Sequence, residues 1–302
     1  MTRIVLATCN LWPDLGASDC LYAEALEARG AQVTAAPWNG PQGQFRAADL
    51  VVLRSNWDYH YEPAAFALWL ELLTRAGTTV LNPPEMALWN MHKRYLLTLG
   101  EHGVRVPQTF EVDYESASIR GALQDLGGET AVLKPAIGAS GFHVYKATRR
   151  NLDEVVARVQ AGLPDRPLLA QEFLPEIAEG ERSFVFIDGQ FCHLLRRQPD
   201  VSRRLDHDGD EPEFRANGTH GVTTTLAEAE PGAIAQARAV LDVLPAILDM
   251  AEPPLYARVD GVFRNGQLIL TELELNEPWL GMNLHPPTAE RFADATLRRL
   301  DR

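Results

Sequence analysis

Acidic and amide side chains near the carboxyl end of the chain are spaced as in a metal site. In the run LILTELELNEP, residues 268–278, Glu272, Glu274 and Asn276 lie two apart in an apolar, strand-like stretch. Alternate side chains of a strand share a face, so these three groups would point together. A dense carboxylate cluster is unfavourable to bury without a cation, and hard oxygen ligands suit Mg²⁺. The run predicts a magnesium site, of the kind that binds a metal nucleotide.

The strand that precedes this run carries matching chemistry. Arg258 and Asp260 would share one face of it, and an Asn265-Gly266 turn would join the two strands as a hairpin. The competing interpretation is an exposed sheet face with ordinary Glu–Arg cross-strand pairs. Metal binding is favoured because further nucleotide-binding features precede the hairpin in the same chain.

One of these features is a lysine followed by a turn of small residues. Lys134 ends a strand, and the turn PAIGASG after it contains Gly138, Ser140 and Gly141. Such a turn exposes backbone N–H groups that can surround phosphate oxygens, while the lysine adds a positive charge. The Walker A pattern is absent. Taken alone, the turn is better explained as a surface hairpin, because glycine-rich turns are common.

The other features are a mixed strand end and a set of arginines. Gln171, Glu172, Phe173 and Leu174 could offer main-chain groups to a purine and a carboxylate to a ribose. Arginine side chains could clamp phosphoryl oxygens, although a lone strand-end arginine is usually solvated. The candidate arginines are Arg196, Arg197 and Arg215.

The elements that must position these groups change character along the chain. Residues 1–90 alternate strands with helices, which predicts an α/β lobe with a parallel sheet. Its predicted strands are 3–8, 32–36, 50–53 and 78–81, and its predicted helices are 18–29 and one after Pro63. The dinucleotide pattern Gly-x-Gly-x-x-Gly does not follow the first strand, so a Rossmann oxidoreductase is disfavoured.

Beyond residue 104 the pattern predicts an α+β remainder with antiparallel sheets. The predicted hairpins pair 131–134 with 142–146, 184–187 with 191–196, and 257–263 with 268–275, and the predicted helices are 152–160, 231–249 and 286–300. The stretch 199–217 is polar and aperiodic, which predicts a mobile loop.

Composition limits the partners. Lys and Arg total 28 against 41 for Asp and Glu, and the net charge of −13 disfavours nucleic acid or an anionic membrane as the main partner. Cys9, Cys20 and Cys192 are odd in number and lack Cys-x-x-Cys spacing, which argues against a disulfide framework. No apolar run reaches about 18 residues. We expect a cytoplasmic protein that binds a small molecule, with no nucleic acid and no membrane as partner.

Polar side chains at the ends of the N-terminal strands are candidates for substrate binding. Open α/β sheets commonly bind ligands beyond the carboxyl ends of their strands. The candidates are Asn10, Arg54, Asn56 and Asp58. For Asp58 the competing interpretation is helix capping. Cys9 is not expected to act as a nucleophile, because such a residue is more often a small buried hydrophobe.

From about Leu88 to the carboxyl end, the order of these features resembles that of the ATP-grasp ligases. The resemblance implies an α/β N-terminal lobe followed by two α+β subdomains that hold ATP between them. The implied domains are residues 1–90 on the substrate side, 91–171 with the glycine-rich flap, and 172–302 with the magnesium site. Helix 231–249 has an apolar face that leaves a homodimer open.

The resemblance also implies roles for individual residues. ATP and Mg²⁺ would be the cofactors, with Lys93 and Lys134 as the ATP lysines and residues 171–174 as the adenine hinge. Either Glu172 or Glu181 would contact the ribose. Asp260 and Glu272 would be the magnesium carboxylates, and Glu274 and Asn276 compete for the remaining ligand position. The phosphate or acyl-phosphate contacts would be Arg196 or Arg197 and Arg215, and Arg258 would act in catalysis beside them.

Several longer motifs are similar to a branch of that family, the O-ureido-serine cyclo-ligases of cycloserine biosynthesis. They are LRSNWDYH at 53–60, LNPPE at 81–85, KRYLL at 93–97, RVDG at 258–261 and ELE at 272–274. The resemblance implies a small amino-acid-like carboxylate, activated as an acyl phosphate and closed onto a nitrogen of the same molecule. O-ureido-D-serine would give D-cycloserine with ADP, phosphate, CO₂ and ammonia. Two alternatives stay open, namely an intermolecular carboxylate–amine ligase of the glutathione synthase type and an inactive nucleotide-binding regulator.

Overall fold

Three sheets organise the chain. The computed structural model describes residues 1–113, 115–127, 130–139, 141, 143–162, 167–199 and 222–300. Its strands are β1 (Arg3–Thr8), β2 (Gln32–Pro37), β3 (Leu50–Leu53), β4 (Thr79–Leu81), β5 (Thr109–Val112), β6 (Thr130–Pro135), β7 (Tyr145–Thr148), β8 (Leu168–Glu172), β9 (Glu181–Ile187), β10 (Gln190–Pro199), β11 (Val222–Ala227), β12 (Tyr256–Arg264) and β13 (Gln267–Glu274). The sheet orders are β2-β1-β3-β4, β5-β8-β6-β7 and β11-β10-β9-β12-β13.

Helices cover these sheets and connect their strands. The helices are α1 (Ala17–Glu27), α2 (Gly43–Ala47), α3 (Pro63–Arg75), α4 (Pro84–Met91), α5 (Tyr95–Glu101), α6 (Ser116–Asp125), α7 (Leu152–Gly162), α8 (Pro231–Asp242), α9 (Leu244–Leu248) and α10 (Pro287–Leu300), with a 3₁₀ helix at Pro175–Glu179. Helices α2, α4, α5 and α6 have no counterpart among the predicted helices. The first three have only one or two turns, which is too few residues to show a period.

The N-terminal sheet is parallel, as predicted. β1 pairs in parallel with both β2 and β3, and β4 extends the sheet beyond β3. Strand β3 is buried along its whole length, as expected of a parallel sheet covered on both faces. Because β2 and β3 lie on opposite sides of β1, the carboxyl ends of β1 and β3 flank the point at which open sheets commonly bind ligands.

The other two sheets contain the predicted antiparallel hairpins. β9 joins β10 through Asp188 and Gly189, and β12 joins β13 through Asn265 and Gly266, all four with positive φ. Two adjacent positive φ values are what a tight two-residue hairpin turn requires. The strand predicted at 142–146 begins later than expected, since β7 pairs with β6 only from Tyr145.

A bulge sets the register between β12 and β13. Asp260 pairs with Glu272, whereas Gly261 pairs with Leu270, so β13 contains one extra residue at that point. A Cβ at Gly261 would lie 2.5 Å from the carbonyl oxygen of Ile269, so only glycine fits this close approach. The bulge brings Asp260 opposite the acidic residues of β13.

The segment predicted as one helix over 231–249 consists of two helices. α8 ends at Asp242 and α9 begins at Leu244. Pro245 explains the break, because proline has no N–H to donate and its ring clashes with the preceding turn. By length and composition this is the one stretch of the described residues that could cross a membrane. Its residues Ala237 and Leu241, however, are buried against side chains of β9 and β13.

Helix α5 packs with the C-terminal sheet. Tyr95, Leu96 and Leu99 share a core with Phe184 and Leu273. Sequence order places this segment in the predicted subdomain of residues 91–171, because it does not reveal which sheet covers an apolar helix face. The domain boundaries themselves stay predictions.

Buried polar contacts fasten the N-terminal lobe to the C-terminal sheet. The Asn82 amide donates to the Tyr256 carbonyl at 2.9 Å and to the Leu275 carbonyl at 2.7 Å. The Tyr256 hydroxyl lies 3.0 Å from the Leu53 carbonyl oxygen and 2.9 Å from that of Asn276. Breaking such bonds would leave buried polar groups unpaired, so they hold the lobe in one position relative to the end of β13.

Some sequence predictions lie outside the described residues. The segment predicted as a mobile loop, 199–217, is described only at Pro199, where β10 ends. Arg215 and Ser140 also lie outside, so their predicted contacts with phosphate are not addressed by the structure.

Candidate active site

Three carboxylates meet on one face of the β12–β13 hairpin. Ligand oxygens of Asp260, Glu272 and Glu274 lie within 4.8 Å of one another. Asp260 is opposite Glu272 across the strands, and Arg258 is opposite Glu274. The alternation of strand side chains therefore brings these groups together as the sequence indicated.

Cations surround this cluster unevenly. Arg258 donates to Asp260 at 2.7 Å and also pairs with Glu274, while Lys93 pairs with Glu272. Arg197 lies farther away, with Nη1 at 3.6 Å from an Asp260 oxygen. Each carboxylate thus has a cationic neighbour, but Arg258 is shared between two of them.

The local charges shift the two glutamates in opposite directions. Burial raises the pKa of Glu274, and although Arg258 opposes this, Glu272 and Asp260 help to raise it to about 7. Burial also raises the pKa of Glu272, but the ammonium of Lys93 outweighs it and the net pKa is about 2. A divalent cation would favour the ionised form of all three carboxylates. The oxygen donors and the negative charge of the cluster therefore fit Mg²⁺.

Lys134 lies near this cluster, on the neighbouring sheet. Its Nζ donates to Gln171 Oε1 at 2.9 Å, and Gln171 Nε2 donates to Thr109 Oγ1 at 2.9 Å. Burial, followed by the charge of Lys93, lowers the pKa of Lys134 to about 8, and Glu272 acts in the opposite direction. The two predicted ATP lysines are therefore close enough to influence each other. A buried cation and a partly buried cation near each other are suited to an anionic ligand such as a phosphate chain.

The backbone ties the two lysines together. The amide N–H of Lys93 donates to the Ala136 carbonyl at 2.7 Å, directly after β6. Gly138 and Gly141 follow in the turn, and Gly141 has φ of +71°, a conformation that favours glycine. The segment that carries Lys93 is thus held at the start of the predicted phosphate turn.

The structure separates the two candidate ribose contacts. Glu172 is held by Arg264 Nη1 at 2.8 Å. Glu181 lies beside the carboxylate cluster, since Arg197 Nη1 is 3.5 Å from a Glu181 oxygen and 3.6 Å from an Asp260 oxygen. Burial raises the pKa of Glu181, Arg197 opposes the rise and Asp260 adds to it. This placement favours Glu181 for a ligand bound next to Lys134, and its ribose contact stays a prediction.

Other predicted hinge and arginine positions are distributed around the site. Lys146 Nζ lies 4.6 Å above the Phe173 ring, and Leu174 is buried. Arg196 donates to the Glu179 carbonyl at 2.7 Å and is exposed. Of the two neighbouring arginines, Arg197 is thus the one directed towards the carboxylates.

Arg54 does not have the accessibility that its predicted substrate contact requires. Its side chain is fully buried, with Nε at 2.9 Å from Asp19 and Nη2 at 2.7 Å from the Pro278 carbonyl. The guanidinium also lies 5.2 Å from the centre of the Tyr256 ring. These contacts make it a structural link between the N-terminal lobe and the segment after β13. The sequence could not indicate this, because the partner residues are remote along the chain.

Asp58 is likewise occupied by protein partners. Its two oxygens accept from Trp38 Nε1 at 2.6 Å and Asn39 Nδ2 at 2.9 Å. Asn39 in turn bonds both the backbone and the side chain of Asn10. Asp58 therefore orders the loop after β2, and the neighbouring Asn10, which is exposed, keeps its predicted substrate contact as a prediction.

Asn56 and Asn276 meet across the junction of the lobes. Asn56 Nδ2 lies 3.3 Å from Asn276 Oδ1, and both side chains are buried. Asn56 Oδ1 and Asn276 Nδ2 have no hydrogen-bond partner among the described residues. The roles of Asn56 in substrate binding and of Asn276 as a metal ligand stay predictions.

Three residues that adjoin the site, Trp57, Tyr59 and Glu277, are not among the site residues predicted from the sequence. Trp57 Nε1 donates to the Glu277 carbonyl at 3.0 Å, and the Tyr59 hydroxyl is within hydrogen-bonding reach of the Glu277 carboxylate. Burial, followed by the charge of Glu274, raises the pKa of Glu277 to about 8. In the sequence, the signal that could have identified Glu277 is its position directly after Asn276.

Comparisons with known proteins identify an ATP-grasp domain in this chain. Residues 103–235 match the family model of the ATP-grasp domain of prokaryotic glutathione synthetase. Residues 4–82 match the model of the N-terminal domain of D-cycloserine synthetase DcsG. The predicted family and fold class are therefore confirmed.

Individual relatives resemble the chain over most of its length. It is 27% identical over 289 residues to the cycloserine biosynthesis protein DcsG of Streptomyces lavendulae, which covers 92% of each chain. It is 26% identical over 246 residues to the glutathione synthetase of Parasynechococcus marenigrum, covering 76% of this chain and 67% of that protein.

Solved structures agree at the level of the fold. The crystal structure of D-cycloserine synthetase DcsG matches with a TM-score of 0.88 at 24% identity, covering 99% of both chains. The D-alanine–D-alanine ligase from Bacillus anthracis matches with a TM-score of 0.70 at 13% identity, covering 99% of this chain and 97% of that one.

Proposed function

We propose that this ligase uses ATP to activate an amino-acid carboxylate and then closes it onto a nitrogen of the same molecule, with O-ureido-D-serine as substrate and D-cycloserine as product. The observation that carries the ligase chemistry is the cluster of Asp260, Glu272 and Glu274 beside Lys93 and Lys134. The cyclising step and the substrate rest on the similarity to the cycloserine biosynthesis protein over 92% of both chains.

The reaction balances as follows. The substrate carboxylate takes the γ-phosphoryl group of ATP and releases ADP, which gives an acyl phosphate. The ureido nitrogen attached to oxygen then attacks the acyl carbon, loses its proton and expels phosphate, which closes the ring. Water removes the carbamoyl group as CO₂ and ammonia. Activation is needed because a free carboxylate is a poor electrophile, and the protein mainly supplies positioning and charge stabilisation.

Different residues of the chain would have different roles in this reaction. Asp260, Glu272 and Glu274 would hold Mg²⁺, which neutralises charge on the phosphates when bound. Lys93 and Lys134 would bind phosphate oxygens. Arg258 holds Asp260 and Glu274 in place through its hydrogen bonds. A further cation, Arg197, lies at the edge of the cluster and would stabilise charge on the transferring group.

An intermolecular carboxylate–amine ligase is the second candidate. The match of residues 103–235 to the ATP-grasp domain of glutathione synthetase favours it. That match covers Lys134 and the predicted flap and adenine hinge, which both reactions need, whereas Lys93 and the carboxylate cluster lie outside it. The first candidate is preferred because residues 4–82, on the substrate side, match the other family model.

The test is ADP release across a panel of amino-acid carboxylates, including both enantiomers of O-ureido-serine, each with and without an added amine. We expect ADP from O-ureido-D-serine alone, with D-cycloserine identified by mass spectrometry. ADP release that requires a second amine would replace the cyclising reaction by the intermolecular one. Nucleotide binding without turnover of any carboxylate would instead identify an inactive regulator.

A further inference from the structure

Glu277 differs from the other acidic residues of the candidate site. Among the described residues, no Lys, Arg or His nitrogen lies within 4 Å of its carboxylate. Each of the other four carboxylates, those of Glu181, Asp260, Glu272 and Glu274, has such a partner. Glu277 is partly buried, and a carboxylate removed from water without a cation is unfavourable. Its position is one that a cationic ligand group would complete.

The location of Glu277 is that of a substrate contact. It lies three residues beyond the end of β13, and its charge interacts with Glu274, Lys93 and Glu272. On its other side it meets Trp57 and Tyr59, which follow β3. It therefore stands between the carboxylate cluster and the carboxyl ends of the parallel strands, where open sheets bind ligands.

Both neighbours hold Glu277 without neutralising it. Trp57 donates to the backbone carbonyl of Glu277 and fixes the main chain. Tyr59 offers the carboxylate a hydroxyl hydrogen bond but no charge. Trp12, 46% exposed, packs edge-on against Trp57 with ring centres 5.8 Å apart, so a second aromatic ring adjoins the one that contacts Glu277. Aromatic faces next to a carboxylate are a favourable surrounding for an ammonium group.

From this geometry we propose that Glu277 binds the α-ammonium group of the amino-acid substrate and thereby selects amino acids over other carboxylates. The inference rests on the proposed function. An α-amine is two bonds from the carboxyl carbon, so a carboxyl group activated beside Glu272 and Glu274 brings its amine into the same region. An ion pair with Glu277 holds the α-carbon of the substrate in place while the nitrogen attached to oxygen closes the five-membered ring. Attack by the α-amine on its own acyl carbon would require a strained three-membered ring.

The test compares O-ureido-D-serine with its deamino analogue, 3-(ureidooxy)propanoate, on wild type, Glu277→Gln and Glu277→Asp. Glu277→Gln retains the backbone carbonyl that Trp57 bonds, so the fold is expected to survive. Binding is followed by the change in intrinsic tryptophan fluorescence, to which Trp12 and Trp57 contribute among six tryptophans. We expect Glu277→Gln to weaken binding of the amino acid 10- to 100-fold, to leave the deamino analogue within about twofold, and to leave the KM for ATP unchanged.

Two controls make the result specific. Glu277→Asp keeps the charge and is expected to recover part of the preference for the amino acid. Glu85→Gln, at an exposed position in the first turn of α4, is expected to match the wild type. A Glu277→Gln variant that weakens both ligands equally, or that raises the Mg²⁺ requirement instead, would overturn the proposal. So would a Glu277→Asp variant with no preference.

Failure of the proposed function leaves a different signature. In that case wild-type enzyme and ATP release no ADP from O-ureido-D-serine, while the fluorescence titration still reports whether Glu277 discriminates by the amine. If binding in the wild type does not depend on the amine, the role of Glu277 is refuted even where turnover is observed.

Discussion

The hairpin face of β12–β13 and the carboxyl ends of β1 and β3 both gather polar side chains, yet the protein treats them differently. On the hairpin, Arg258 is shared between Asp260 and Glu274, and the carboxylates repel one another. At the strand ends, Arg54 is paired with Asp19 and fully buried. On the hairpin, the negative charge of the carboxylates is incompletely compensated, as expected of groups that bind a ligand. At the strand ends, the polar side chains mostly make structural contacts.

This difference between the two regions shows which polar residues are available for function. A buried polar group that is fully paired within the protein contributes to folding, because removing its partner leaves an unsatisfied group. A group that remains under-compensated in the folded protein is available to a ligand. By this criterion Glu277 belongs with the hairpin, although it lies between the two regions. Arg54 does not, because Asp19 compensates its charge, although its Nη1 has no hydrogen-bond partner among the described residues.

The strongest test of the comparison is Arg54→Met. This change leaves the Asp19 carboxylate buried without its cation, and we expect the free energy of unfolding to fall by about 3 to 5 kcal/mol. Urea denaturation followed by circular dichroism measures it. The double variant Asp19→Asn/Arg54→Met removes the orphaned charge and is expected to recover part of the loss.

The Arg54→Met variant can also support the predicted role of Arg54 in substrate binding. Wild-type stability together with a raised KM for the carboxylate substrate would restore its predicted substrate contact and weaken the distinction between the two regions.

Glu272→Gln tests whether the hairpin carboxylates serve activity rather than stability. Loss of one carboxylate from a metal site is expected to lower kcat/KM for ADP formation about 100-fold, or about 2.7 kcal/mol, with little change in stability. Glutamine can still accept a hydrogen bond from Lys93, so the local structure is expected to persist. A coupled ADP assay and a thermal melt are the measurements.

The matched control is Glu71→Gln, an exposed residue paired with Arg75 on α3, for which we expect wild-type activity. Wild-type turnover by Glu272→Gln would remove Glu272 from the metal assignment and would place that face with the ordinary paired surfaces.

Lys134→Ala is expected to have the smallest effect of these substitutions. The charge that faces the phosphate chain is lost, and we expect the KM for ATP to rise about tenfold, or about 1.4 kcal/mol, with kcat less affected. Steady-state kinetics at several ATP concentrations measure it. Arg120→Ala, which removes an exposed cation of the same subdomain, is the control. An unchanged KM would return the turn after β6 to the interpretation of an ordinary hairpin.

Much of the architecture was accessible from the sequence because its signals are local. The alternation around Glu272 and Glu274 places both on one face, and the Asn265-Gly266 turn requires a hairpin. The break at Pro245 was equally local and was overlooked, since the apolar period continues across it. Hairpins and the parallel lobe were therefore predictable, while helix ends and the shortest helices were predicted less well.

The choice among candidate site residues was not accessible in the same way. Glu172 and Glu181 were equivalent for the ribose contact until the structure placed Arg264 against the first and the carboxylate cluster beside the second. Glu277 carries no pattern of its own. What distinguishes it is that none of the described residues places a cationic nitrogen within 4 Å of its carboxylate, and that is a property of its surroundings.

The sequence by itself determined the residue types, the faces they share along each strand and the family to which their order points. Only the tertiary structure decided which of them are enclosed by partners and which remain available. Arg54 shows the physical reason. Its partner Pro278 is 224 residues away in the chain, and both burial and electrostatic compensation depend on such distant neighbours rather than on local periodicity.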